Sequence, residues 1–160
     1  MKLYHGSTTV IRRPIAAAGR ANLDFGRGFY LTDIQSQAES CALRMQRINF
    51  GQGVVNIYEI DLDALKTRYQ YHLFAYYDKD WLEFIIANRT GRGGIEHFDI
   101  IEGGVANDRV IDTVEAYIAN MMPMDVALRE LAKHQPNNQI CITNQQVIDE
   151  HLRFIDSYII

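Results

Sequence analysis

The chain has 160 residues, is 48% hydrophobic and 22% charged, and carries a formal net charge of −4. That length is enough for one domain with a real core, and an acidic whole argues against non-specific wrapping of nucleic acid. No apolar run approaches a membrane span, and the start, Met1-Lys2-Leu3-Tyr4-His5, has no signal-peptide apolar region, so the expected compartment is the cytoplasm.

The charge is unevenly spread. Residues 1–52 hold seven basic and three acidic residues, a net of +4; the remainder holds nine and seventeen, a net of −8. A basic first third suits a bound phosphate or pyrophosphate, and equally a solvated mixed surface. Cys41 and Cys141 have neither metal-ligand spacing nor partners for a disulfide framework, and their apolar surroundings suit small buried residues.

Lys2 to His5 reads as a first strand, ending in the small polar turn Gly6-Ser7-Thr8-Thr9. Residues 10–24, with Pro14, an alanine run and Gly19, read as a loop that is mobile or covers a ligand. Phe25-Gly26-Arg27-Gly28 is a Gly-X-Gly turn into a strand from Gly28 to Thr32, with Phe29 and Leu31 on one face and Tyr30 and Thr32 on the other. An aromatic ring beside a stripped backbone can wall a flat-ligand site, or be a glycine-flanked core strand. Thr32, Asp33 and Ser36 are N-cap candidates, and Ser36 with Glu39 fits a capping box. The recurrence of Ile34, Ala38, Cys41, Ala42, Met45 and Ile48 predicts an amphipathic helix over 34–48, stopped by Gly51 and Gly53.

Val54 to Ile60 reads as a strand and 61–65 as a helical turn. Residues 66–77, with Tyr69, Tyr71, Tyr76, Tyr77, His72 and Phe74, resist assignment. Asp78 should cap a helix to about Asn88, with Trp81, Phe84 and Ile85 on a core face, followed by an exposed flexible turn over 89–94. Then come a strand from Phe98 to Ile101, a helix capped by Asn107 or Asp108, and a helix from about Met124 to Lys133. A turn over 134–138 leads to a strand, Gln139 to Thr143, and Leu152 to Ile159 reads as the last strand. No repeat, low-complexity tract or linker interrupts the chain, so residues 1–160 read as a single α+β domain.

The five histidines lack HxxxH or HExxH spacing, and there is no Walker motif and no GxGxxG after a strand. Three pieces in order are more telling: Tyr4-His5-Gly6-Ser7, Gly26-Arg27-Gly28-Phe29-Tyr30-Leu31-Thr32, and Asn138-Gln139-Ile140-Cys141-Ile142. This set resembles the ADP-ribosyltransferase superfamily on its diphtheria-toxin and poly(ADP-ribose) polymerase side. The run from Asp24 to Thr32, taken with Gly104-Val105-Ala106-Asn107-Asp108, looks like an uncharacterised bacterial family of that superfamily whose members often look like toxins of toxin–antitoxin pairs.

The resemblance implies two small, mostly antiparallel sheets forming an NAD cleft with flanking helices. It implies that His5 bonds the adenosine ribose, that the Gly6 backbone grips the nicotinamide amide and that Ser7 reaches the same amide. Tyr30 would pack on the nicotinamide ring, with Phe29 and Arg27 as further NAD contacts. Gln139 stands where the family has its catalytic glutamate, so the implied catalytic set is His5, Tyr30 and Gln139. The implied activity is transfer of one ADP-ribose from NAD, as co-substrate, to a protein or nucleic acid, with a small antitoxin as partner and no membrane. Nicotinamide leaves through an oxocarbenium-like state, which a carboxylate would stabilise. Gln139 accepts a hydrogen bond but carries no charge, which fits single transfer better than chain elongation and leaves room for NAD glycohydrolase activity or a non-catalytic NAD or ADP-ribose binder. Cys41 stands where the polymerase-like pattern has a second stacking tyrosine, and Asn137 where other transferases carry a target-selecting Glu or Gln. Glu59, Glu96 and Glu102 are the carboxylates that could replace the glutamate.

Overall fold

In the computed structural model, which describes residues 1–92 and 97–160, the chain alternates short strands and helices. The elements are β1 (Lys2–Ser7), a 3-10 turn (Ala16–Ala18), β2 (Phe29–Leu31), α1 (Gln35–Asn49), β3 (Val54–Glu59), α2 (Leu62–Leu65), β4 (Tyr71–Phe74) and α3 (Lys79–Arg89). There follow β5 (Ile100–Gly103), α4 (Asp108–Ile118), α5 (Met124–Leu131), β6 (Gln139–Ile142), α6 (Gln145–His151) and β7 (Arg153–Ile159). The strands form two sheets, in the orders β1-β3-β7 and β2-β6-β5-β4, antiparallel except where β4 runs beside β5. This is the α+β architecture expected, with mostly antiparallel sheets.

Alternation along the strands builds three apolar layers. Leu3 of β1, Tyr58 of β3, Phe29 and Leu31 of β2, and Ile140 and Ile142 of β6 meet between the sheets. The other face of the second sheet, with Cys141 and Ile101, packs on Trp81, Leu82 and Ile85 of α3 and on α4 and α5. The other face of the first sheet packs on α1 through Val55, Ala38 and Ala42. Side chains of both sheets thus fill the space between them at this core. Among the described residues the backbones of the two sheets bond at one bridge, where Tyr4 N–H donates to Thr32 C=O (2.8 Å) and Thr32 N–H to Tyr4 C=O (3.0 Å).

Several local expectations change. Ile34, not Ser36, precedes the first turn of α1, and the Thr32 hydroxyl accepts from Ile34 N–H at 3.1 Å. Helix α1 buries only Ala38 and Ala42; Ile34 and Ile48 are exposed. Phe50 takes the left-handed conformation that ends the helix, at φ 52°, one residue before Gly51. Asp78 and Asn107 do cap α3 and α4, accepting from Trp81 N–H (2.9 Å) and from Arg109 and Val110 N–H. Strand β4 lies in the unassigned tyrosine-rich stretch, and α6 forms where no element was expected, capped by Asn144.

The loop over 10–24 is fastened rather than free. Buried Asn56 accepts from Ile11 N–H (2.8 Å) and donates to Thr9 C=O (3.0 Å), and Tyr58 donates to Ile11 C=O (2.5 Å). Gln145 of α6 accepts from Ala16 N–H and donates to Pro14 C=O. Buried polar groups tied in this way hold a loop of poor intrinsic structure. Of the expected turn over 89–94, residues Gly93 and Gly94 lie outside the described residues, as does Glu96.

Candidate functional site

Beyond the Tyr4–Thr32 bridge β1 and β2 part, and the residues singled out in the sequence gather around that parting. Tyr4 turns its N–H and C=O toward β2, so the alternation of the strand turns those of His5 toward Asn56 of β3 and those of Gly6 back toward the β2 side. The buried Gly6 thus turns its N–H and its C=O, which accepts from Cys41 Sγ, to that side. Across that edge the His5 imidazole takes the place of the missing ladder bond: His5 Nδ1 lies 2.7 Å from Tyr30 C=O. A carbonyl only accepts, so Nδ1 carries the proton and Nε2 keeps its lone pair. Burial lowers the His5 pKa below 6.5, partly offset by the bond to the Tyr30 carbonyl, and the neutral ring persists at neutral pH.

This carries a sign. The folded chain resists protonating His5 while the unfolded chain does not, so the stability it contributes is present above pH 6.5 and is lost as pH falls below it. Thermal melts from pH 7.5 to 5 are expected to fall less steeply for His5→Gln than for the natural chain; parallel slopes would contradict the neutral, proton-resisting ring.

Tyr30 lies on the other face of β2. Its hydroxyl donates to Gly26 C=O (2.6 Å) and accepts from Phe25 N–H (3.0 Å), and its ring stacks on Phe25 with centroids 6.3 Å apart. Gly26 sits at φ +79°, the conformation that lets its carbonyl turn back to the phenol. Burial and the neighbouring Cys141 thiol push the phenol far above its usual range, so it stays protonated; burial pushes Cys141 itself up to about 12, a structural thiol. Tyr30 therefore offers a ring rather than a free hydroxyl.

Gln139 pairs with Gly103 on β5 and shares a face with Cys141, hence with Tyr30. Its side chain is half-buried and forms no hydrogen bond among the described residues. Gly6, Tyr30 and Gln139 thus share one face of the joined strands, and α1 lies over Gly6. A Cβ at position 6 would stand 2.1 Å from Ala38 C=O, and the half-buried Cys41 places its Sγ 3.8 Å from Gly6 C=O. The glycine is demanded by this helix approach as well as by any ligand.

The remaining expected contacts are placed differently. Phe29, 7% exposed, lies in the inter-sheet core, 4.5 Å from the His5 ring and edge-on to Tyr58, so it supports His5 from below and lines no opening. Arg27 is exposed and donates to Ala17 C=O at 3.2 Å. Ser7 shares the inner face with His5 and accepts from Thr9 N–H at 3.4 Å. Among the carboxylates, Glu59 is exposed and paired with Arg153. Glu102 lies on the face opposite Gln139, accepting from Tyr71 (2.5 Å) and from Asn138 (3.2 Å), so it does not stand in at position 139. Cavities of about 390 and 400 Å³ lie elsewhere: one between the Tyr76–Lys79 turn and α5, the other lined by Asn107, Arg109, His134 and Gln135.

Sequence reasoning missed the bonding roles of Asp24 and Asn137, whose partners are distant in the chain. The Asp24 carboxylate, 8% exposed, accepts from Arg89 (2.6 Å) and Ala106 N–H (2.7 Å), and Asn137 accepts from Val105 N–H at 2.8 Å. Among the described residues no group of His, Cys, Asp and Glu could hold a metal ion, and no helix is long and apolar enough to cross a membrane.

No curated protein and no solved structure matches the chain. A family model matches residues 1–154, nearly the whole of the fold and every residue of the site, and the chain belongs to the family it describes, "Protein of unknown function (DUF3990)".

Proposed function

We propose that the chain is a cytoplasmic mono-ADP-ribosyltransferase that uses NAD as co-substrate and transfers one ADP-ribose to a macromolecular acceptor. The observation that carries this reading is the parting of β1 and β2. It leaves the buried Gly6 backbone N–H and C=O, the latter accepting from Cys41 Sγ, turned to the β2 side. Beside them stand a neutral histidine whose Nε2 has no hydrogen bond among the described residues and a tyrosine ring whose hydroxyl is already used. A carboxamide needs one acceptor and one donor side by side, which a strand edge supplies; a ribose hydroxyl can donate to an imidazole nitrogen.

In the reaction the bond from C1′ to the nicotinamide nitrogen breaks, and its electron pair leaves on a ring that becomes neutral. The acceptor's nucleophile forms the new bond to C1′ and gives its proton to solvent. Fixing the amide and the ring promotes departure by orientation, while Gln139 orients a hydroxyl without stabilising positive charge. A slow single transfer suits such a site, and a toxin held in check by a small antitoxin protein is the biological setting we favour. The uncharged Gln139, with Glu102 turned to the other face, is the specific observation that favours a second reading, a non-catalytic NAD or ADP-ribose binder.

The test is incubation with adenine-labelled NAD in lysate, with His5→Ala and Gln139→Ala as controls. Label transferred to protein or nucleic acid, and lost in both controls, is the expected result. Free labelled ADP-ribose without labelled acceptor would mark a glycohydrolase, and saturable binding without turnover the non-catalytic module.

A further inference from the structure

We propose that Asp24 is a positioning residue that joins the Tyr30 side of the site to the Gln139 side; this rests on the reading of the site given above. Both halves are held by backbone segments with little regular structure, and both are fastened to the loop after β5. On one side, Phe25 N–H and Gly26 C=O, the next two residues after Asp24, hold the Tyr30 hydroxyl. On the other, Asn137, two residues before Gln139, accepts from Val105 N–H (2.8 Å), and Tyr77 donates to Val105 C=O (3.0 Å). Trp81, fully buried, anchors the loop from below by donating to Gly104 C=O at 2.7 Å.

Asp24 closes the circuit. One carboxylate oxygen accepts from Arg89 Nε (2.6 Å) at the end of α3, and the other accepts from Ala106 N–H (2.7 Å). Its own carbonyl accepts from Asn88 Nδ2 at 3.0 Å. The side chain is 8% exposed and that of Arg89 27%, so the pair is shielded and its geometry is held tightly. Two separate acceptor oxygens are required: an asparagine would turn its NH₂ toward either the guanidinium or the Ala106 N–H, donor against donor. Movement of the 104–106 loop would then reach Tyr30 through the Gly26 turn and Gln139 through Asn137. Orientation effects of this kind act on the transition state, where a displacement of about 1 Å costs on the order of 10²-fold in rate.

The experiment compares the natural chain, Asp24→Asn, and Leu65→Ala, a core truncation in α2 among residues that take no part in this network. Amide hydrogen exchange under native conditions and NAD kinetics are read on all three. Asp24→Asn is expected to speed exchange at 25–30, 104–107 and 137–139 at least tenfold more than elsewhere. It is also expected to lower kcat by tens of fold, with KM for NAD within about threefold, and Leu65→Ala to leave kcat per folded molecule unchanged. Exchange at 25–30 and 137–139 that stays at the natural rate in Asp24→Asn would overturn the proposal, as would an equal loss of kcat in Leu65→Ala. If the natural chain neither cleaves nor binds NAD, the functional reading fails by itself, and the exchange arm still decides whether Asp24 couples the two segments.

Discussion

Alanine at position 6 is expected to cost about 3 kcal/mol of stability, the upper part of the range for forcing an extra methyl into a packed site. The new Cβ would stand 2.1 Å from Ala38 C=O and 2.7 Å from Ala42 N, both backbone atoms of α1, and 3.0 Å from Cys41 Cβ. A side chain could swing aside, but helix backbone cannot without moving α1, which is seated on this sheet through Ala38, Ala42 and Val55, flanked by Tyr4, Tyr158 and Ile160. Gly51→Ala is the fitting comparison, because its Cβ would meet only Thr8, at 3.8 Å, an ordinary contact. Urea melts should separate the two variants by most of the 3 kcal/mol; coincident melts would mean that α1 does not press on Gly6 as described. The same comparison bears on function, since loss of activity in Gly6→Ala cannot be assigned to the amide grip unless the variant is shown to keep α1 in place.

Tyr30→Phe is the second large effect. Removing the hydroxyl strands Phe25 N–H and Gly26 C=O, half-sheltered groups whose desolvation costs about 1–3 kcal/mol. For a chain of this size that lowers the melting midpoint by roughly 2–4 °C per kcal/mol. The ring itself stays, with its stacking on Phe25. If the ring is what Tyr30 offers a ligand, NAD turnover per folded Tyr30→Phe molecule should remain within a few-fold of the natural chain. A collapse of turnover in a variant that stays folded would show that the hydroxyl leaves Gly26 to act on the substrate.

The elements that could be read from the sequence are those whose pattern is local. Strand β3 carries a β-branched and aromatic run, β1 and β6 are short apolar stretches beside turn residues, and α3 and α4 announce themselves with Asp78 and Asn107 at their caps. Strand β4 could not be read, because Tyr71-His72-Leu73-Phe74 shows no alternation: it lies at the edge of its sheet and Leu73 is half-exposed. Its conformation comes from pairing with β5, a partner outside any local window. Helix α6 is short, with Val147 and Ile148 as its buried residues, too little for a periodicity.

The site divides in the same way. His5, Gly6, Tyr30 and Gln139 could be named from their motifs, and three of them share one face of the joined strands, with His5 reaching the Tyr30 carbonyl from the other. The sheets enclose a core, and among the described residues β1 and β2 meet at the Tyr4–Thr32 bridge. Phe29 is an NAD contact by the resemblance alone, and strand alternation turns it into the inter-sheet core. Asp24 and Asn137 were named only by motif position; their bonds had no signal, since a carboxylate or an amide that bonds a backbone 82 or 32 residues away leaves no spacing to recognise.

If the β1–β2 junction takes NAD and breaks its bond to nicotinamide, free nicotinamide must appear. The most direct measurement is release of free nicotinamide when the chain is incubated with NAD in the presence of lysate, for the natural protein and for Gln139→Ala and His5→Ala. The account expects release by the natural protein and a fall of at least tenfold in both variants, with all three equally folded. NAD left intact by a folded natural chain, or nicotinamide released equally by all three, would contradict it.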